Sequence, residues 1–229
     1  MATYGLVHGM GCRPAIWSRF APLLEDRGHR VAAVDLPCEQ QDAGWSDYVE
    51  CVERALGDAD DVVLVGHSLA GLTIPLVAAS RPVERLVFVC AVLPQPGRTF
   101  REQLEEETDV TCPELGAAAG QDEQGRRIWH VEDPDSVVAA LCADCSPQDA
   151  DRVIGQLRPQ GTAIYLEPCP LSTWPEVEST YVVCADDRTV NPEWSRRVVP
   201  DRLGIEPVEL SGGHCPMLSR PQELLAAIE

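Results

Sequence analysis

The sequence predicts an α/β protein, a mostly parallel sheet of about six strands flanked by helices with a helical insert. Short apolar runs such as Val62-Val63-Leu64-Val65 have the composition of strands buried on both faces, and they alternate with stretches whose apolar residues recur at helical spacing. That alternation stops between about residues 94 and 176, where the chain turns acidic and helix-prone, and then resumes to the C-terminus. The two outer stretches therefore build one sheet around the middle one.

At 229 residues the chain can bury one sizeable core. The reading is a single domain, with a core of about residues 1–93 and 177–229 and a lid of about residues 94–176. No apolar run approaches the ~20 residues of a membrane span, and the N-terminus lacks the basic start and apolar stretch of a signal peptide. A cytoplasmic location follows as the expectation. A net charge of −19 opposes contact with nucleic acid or an anionic membrane surface, so the expected partner is a small-molecule substrate, with a homodimer left open. All 18 basic residues are arginine, which excludes lysine chemistry. The ten cysteines lack an export signal and are expected to be reduced and packed as small apolar residues. Cys142 and Cys145 form a close pair, but Cys112, His130 and Cys169 are too scattered to complete a zinc site. No metal and no cofactor is expected.

Taken in order, Tyr4–Val7 predicts a strand that runs into the loop His8-Gly9-Met10-Gly11-Cys12-Arg13, where glycine permits close backbone approach. Ile16, Phe20, Leu23 and Leu24 mark a helix before Gly28, and Arg30–Pro37 reads as the next strand, with Asp35 a loop cap at its end. Trp45, Tyr48, Val49, Val52 and Leu56 share one face of an amphipathic helix. Leu69–Ala79 reads as a buried helix, and Arg85–Leu93 as a strand ended by Pro94-Gln-Pro-Gly97. In the lid, Glu102, Glu105, Glu106, Glu107 and Asp109 read most simply as a solvated helix face, steering of cationic substrates being the alternative. Trp129, Leu141, Ile154, Leu157, Tyr165, Leu166 and Trp174 are its apolar residues available to cover a pocket. Beyond it come a strand at Ser179–Ala185, a helix at Glu193–Val199, a strand at Glu206–Leu210 and a helix at Pro221–Ile228.

The chemistry centres on Gly66-His67-Ser68-Leu69-Ala70-Gly71, where a strand gives way to a helix with Ser68 between small residues. This is the pattern of a nucleophile elbow, whose strained turn tolerates only small side chains two positions away. A serine hydroxyl needs a base, and His214 in Ser211-Gly-Gly-His-Cys215 lies just past a strand end. An acid must orient that histidine, and Asp186 and Asp187 both lie past the preceding strand. The backbone N–H groups of Leu69, after the nucleophile, and of Met10, in the first loop, are the oxyanion donors expected.

These residues, with Leu6-Val-His-Gly9, the Trp17 helix, Val34-Asp-Leu-Pro37, Tyr181-Val-Val-Cys-Ala-Asp-Asp-Arg188 and Gly212-Gly-His214, resemble the small α/β-hydrolases of the methylesterase and hydroxynitrile lyase group. The resemblance implies the α/β-hydrolase fold and a triad of Ser68, His214 and an acid opening a D-x-x-[VI] string. Here that string is Asp187-Arg-Thr-Val190, which favours Asp187 over Asp186. Hydroxynitrile lyases of the group carry threonine after the first loop's histidine and lysine after the catalytic histidine. Gly9 and Cys215 stand there, so the resemblance implies the esterase branch and hydrolysis of a small carboxylic ester through an acyl-enzyme. The alternatives are a non-hydrolytic lyase or cyclase on the same fold, or a non-catalytic small-molecule-binding relative.

Overall fold

The structure is a computed structural model and describes residues 1–229. Its strands are β1 (Thr3–Val7), β2 (Arg30–Val34), β3 (Val62–His67), β4 (Arg85–Val89), β5 (Ala119–Gln121), β6 (Arg127–Trp129), β7 (Glu178–Cys184) and β8 (Val208–Leu210). Six of them form one sheet in the order β2-β1-β3-β4-β7-β8, every pairing parallel. The apolar runs explain that order. β1 and β3 are buried along their whole length at the centre, whereas β2 and β8 at the edges carry exposed residues. Strand order reverses at β1, which has β2 on one side and β3 on the other. The crevice at the C-terminal ends of β1 and β3 is therefore where an open parallel sheet places a site. Val7 pairs with Gly66 there, which brings the loops that follow both strands together.

Several elements end earlier or later than the sequence suggests. β4 stops at Val89 because Cys90 takes a left-handed φ of 47°, which no regular strand accommodates. Past Ser68 the expected single helix is a 3₁₀ turn, Ser68–Leu72, followed by an α-helix, Ile74–Ser80. Pro75 has no N–H to give back to Gly71, so the break falls between them. Pro22 has the same effect on the first helix, which is a 3₁₀ turn at Pro14–Trp17 and an α-helix at Ala21–Asp26. The helix after β7 is longer than predicted, Pro192–Leu203, capped by Asn191 and closed by left-handed Gly204.

Between β4 and β7 the chain forms five short helices and the antiparallel β5–β6 hairpin, which the helix-prone composition did not predict. Of the acidic run, Glu102, Glu105, Glu106 and Asp109 are exposed, as a solvated face requires, and most of the run is also paired. Thr99 and Glu102 form a capping box at the helix Phe100–Glu106, and Glu106 pairs with Arg98 at 2.6 Å. Glu107 pairs with Arg202 and accepts the Trp194 indole N–H at 2.8 Å, while Asp109 pairs with Arg197 at 2.7 Å. No helix is long and apolar enough to cross a membrane.

Candidate active site

Ser68 follows β3 at a φ of 57°, a left-handed conformation that costs a non-glycine residue energy and that this turn enforces. The tightness of the turn explains its small neighbours. A Cβ on Gly66 would lie 2.9 Å from Ile74, and one on Gly71 would lie 2.2 Å from the Val92 carbonyl oxygen. Ser68 is 8% exposed, at the floor of a cavity of about 360 Å³ that Met10, Leu69, Trp129, Tyr165 and Val190 also line.

Both sequence-predicted oxyanion donors border that cavity. Leu69 opens the 3₁₀ turn and Met10 lies in the loop after β1, and neither N–H donates a hydrogen bond within the protein. Gly9 makes the approach possible, because a Cβ there would lie 2.7 Å from the Ser68 Cβ.

His214 and Asp187 meet beside His67, the residue before the serine. His214 Nδ1 lies 2.8 Å from Asp187 Oδ2, and both side chains are almost wholly buried. The other carboxylate oxygen accepts the backbone N–H groups of Thr189 at 2.7 Å and Val190 at 3.1 Å. That explains the spacing of the Asp187-Arg-Thr-Val190 string, since the turn satisfies one oxygen and leaves the other for the imidazole. Asp186 is exposed and instead accepts the Gly212 N–H at 3.2 Å. His214 is anchored to the elbow itself, because His67, next to Ser68, meets its carbonyl through Nε2 at 2.9 Å and packs its ring at 4.6 Å. Burial and the neighbouring His214 hold the His67 imidazole well below its usual range, so it stays neutral. His214 Nε2 is buried without a hydrogen-bond partner, so no bond to Ser68 Oγ is present in this state. Catalytic hydrogen bonds commonly tighten only around substrate.

The Cys90 thiol joins Asp187 and His214 in a group whose donor atoms lie within 4.8 Å of one another. Burial pushes that thiol up, so it is not a ready thiolate, and the Nδ1–Oδ2 contact already holds a proton. The donor set fits an acid–base pair beside a packed thiol better than a metal centre. All ten cysteines are free.

Three residues hold the loop after β1 in ways the sequence did not reveal. Trp129 donates its indole N–H to the Met10 carbonyl at 3.0 Å. Arg158 donates its backbone N–H to Gly11 O at 2.9 Å and its Nε to Cys12 O at 3.1 Å. Its terminal nitrogens reach Leu36 O at 3.1 Å, His8 Nε2 at 3.3 Å and the Asp35 carboxylate. Leu36 N–H also points at His8 Nε2, at 3.2 Å, which makes that nitrogen the acceptor and leaves the proton on Nδ1. Nδ1 then donates to Gly9 O at 2.9 Å, the carbonyl of the peptide whose N–H belongs to Met10. Asp35 is thus an anchor for Arg158, and its carboxylate takes the arginine rather than the backbone N–H expected of a loop cap. Of the lid residues offered as pocket cover, only Trp129 and Tyr165 line the cavity. Trp174 packs on Phe88 at 6.3 Å, Leu166 is exposed, and Phe100, Leu104 and Leu115 take the places expected of them.

A family model described as the alpha/beta hydrolase family matches residues 6–228. The chain belongs to that family. This α/β-hydrolase is 26% identical to Methylesterase 9 of Arabidopsis thaliana over 249 residues, which cover 98% of the chain and 95% of that protein. It is 27% identical to the alpha-hydroxynitrile lyase of the same plant over 244 residues, which cover 97% and 94%. Among solved structures, a pyrethroid hydrolase from Sphingobium faniae matches at a TM-score of 0.83 and 25% identity, covering 99% of this chain and 95% of that one. An esterase and a lyase at nearly equal identity leave overall similarity unable to separate the two chemistries. Individual positions of the hydrolase have to do so.

Proposed function

We propose that the protein hydrolyses small carboxylic esters through a Ser68–His214–Asp187 triad. The observation that carries this reading is Ser68 on its strained turn, facing the same cavity as two unengaged N–H groups, with the buried His214–Asp187 pair joined to the turn through His67. Ser68 Oγ attacks the ester carbonyl as His214 Nε2 takes its proton, and Asp187 stabilises the imidazolium. The N–H groups of Met10 and Leu69 receive the oxyanion of the tetrahedral intermediate. His214 returns the proton to the departing alcohol, and the acyl-enzyme is released by a water that His214 deprotonates.

Positions 9 and 215 speak against the lyase alternative. The backbone at Gly9 is pressed so closely on Ser68 that a larger residue would displace the loop. Cys215 is a fully buried thiol, a group with no cationic form, so no cation follows His214. The deciding experiment measures release of alcohol from short aryl and alkyl esters, with fluorophosphonate labelling of the intact protein. Turnover and labelling that both vanish in Ser68→Ala are expected. Turnover that survives Ser68→Ala, or a folded protein that neither cleaves esters nor takes the label, overturns the proposal.

A further inference from the structure

We infer that the cavity above Ser68 takes an ester carrying a second, anionic group such as a carboxylate, and that Arg127 receives that group. This rests on the ester-hydrolase reading and names its substrate class.

Arg127 opens β6, two residues before Trp129, so the two side chains share a face of the strand. Trp129 turns that face toward the active-site loop through its bond to Met10 O, and Arg127 lines the same cavity as Ser68. The backbone that carries it is fixed on both sides. Arg127 is the register partner of Gln121 in the hairpin and exchanges two hydrogen bonds of 2.8 Å with Gln160.

The charge at this place has no partner in the protein. Most arginines of this acidic chain are tied down: Arg126, its neighbour, holds Asp122 at 2.7 Å, and Arg158 holds Asp35. The guanidinium of Arg127 is half-buried yet makes neither an ion pair nor a hydrogen bond, although the chain carries 37 carboxylate side chains. A planar fork of donors left open in a cavity matches a carboxylate. The other charged residues of the lining are Arg101 and Glu105, exposed and one helical turn apart on Phe100–Glu106, and their opposite charges offset each other. Tyr165 also lines the cavity, and its hydroxyl has no hydrogen-bond partner. Burial pushes this phenol up while the charge of Arg127, on the same cavity, draws it back. Of the acidic run, Glu102, Glu106, Glu107 and Asp109 are engaged elsewhere, and only Glu105 reaches the cavity, exposed and one helical turn from Arg101, so the run gives cations a weaker basis than Arg127 gives an anion.

The test compares kcat/KM for monomethyl adipate and for its neutral counterpart, methyl heptanoate, in wild type, Arg127→Gln and Arg127→Lys. A charge-assisted bidentate contact predicts that wild type favours the anionic ester and that Arg127→Gln lowers this preference by about 10- to 100-fold, chiefly through KM. Arg127→Lys should restore part of it. Ser68-dependent cleavage of neutral esters with no preference for the anionic one, or a preference unchanged in Arg127→Gln, overturns this inference alone. If no ester is cleaved, the hydrolase reading fails, and calorimetric binding of adipate decides the anion site. Binding weakened at least about tenfold in Arg127→Gln upholds the site, and absent or unaltered binding removes it.

Discussion

Replacing Arg158 with methionine removes the side-chain donors that hold the loop after β1 while preserving much of the apolar stem. The Arg158 side chain is 7% exposed, so the Cys12 carbonyl that it serves loses its donor away from water, whereas Leu36 O keeps the backbone N–H of Cys38 at 2.8 Å. A buried acceptor left unpaired costs about 1–3 kcal/mol, and stability should fall by about that amount. The ion pair with Asp35 adds little, because that carboxylate is 52% exposed and screened. Catalysis should suffer as well. His8 Nε2 loses one of its two donors, and His8 Nδ1 supports the peptide that presents the Met10 N–H. Complete loss of one oxyanion donor costs about 10²–10³ in kcat; with Leu36 still holding His8, a fall of about tenfold is expected, with KM little changed. The assay is steady-state ester hydrolysis well below the variant's melting temperature, together with the affinity of a boronic acid that mimics the tetrahedral intermediate. A lower melting temperature accompanied by kcat within about twofold of wild type, and unaltered boronate affinity, would refute the claim that Arg158 positions the oxyanion loop.

Three further outcomes follow from the same geometry. Asp187→Asn keeps an oxygen for the Thr189 and Val190 N–H groups but loses the charge facing His214, so kcat should drop about 10³- to 10⁴-fold with little change in melting, whereas Asp186→Asn should stay near wild type. Gly9→Thr places a Cβ against Ser68 and should lower kcat/KM about 100-fold or more in the ester assay, and near-normal turnover would contradict the close packing. Because burial depresses the His67 pKa in the fold, its contribution to stability is complete above the unfolded pKa of about 6.5 and is lost as pH falls below it, at up to about 1.4 kcal/mol per pH unit. Urea midpoints between pH 7 and 5 should therefore decline less steeply in His67→Asn, and equal slopes would remove His67 as a cause.

The sheet and the family were legible in the residues because buried parallel strands need long apolar runs, and Val62–Val65 or Tyr181–Cys184 have no other stable place. The tight turn around Ser68 imposed small neighbours that can be seen in one dimension, and the string from Asp187 to Val190 encodes its own carboxylate-holding turn. Choosing between Asp186 and Asp187 required family resemblance, since adjacent aspartates differ only in which of them faces His214. The lid resisted such reading. Its apolar residues cover the cavity or the core according to how several short helices and a three-residue hairpin pack, and composition carries no record of that.

The chain by itself determined the strand–turn–helix carrying Ser68, the loops carrying His214 and Asp187, and their order, because local backbone geometry dictates residue type at each of these places. Only the tertiary structure decided that Arg158 and His8 hold the loop carrying Met10 and that Arg127 faces the cavity without a partner. Arg158 reaches Cys12 and His8 across 146 and 150 positions, and a lone arginine has no periodicity or spacing that announces what it will meet.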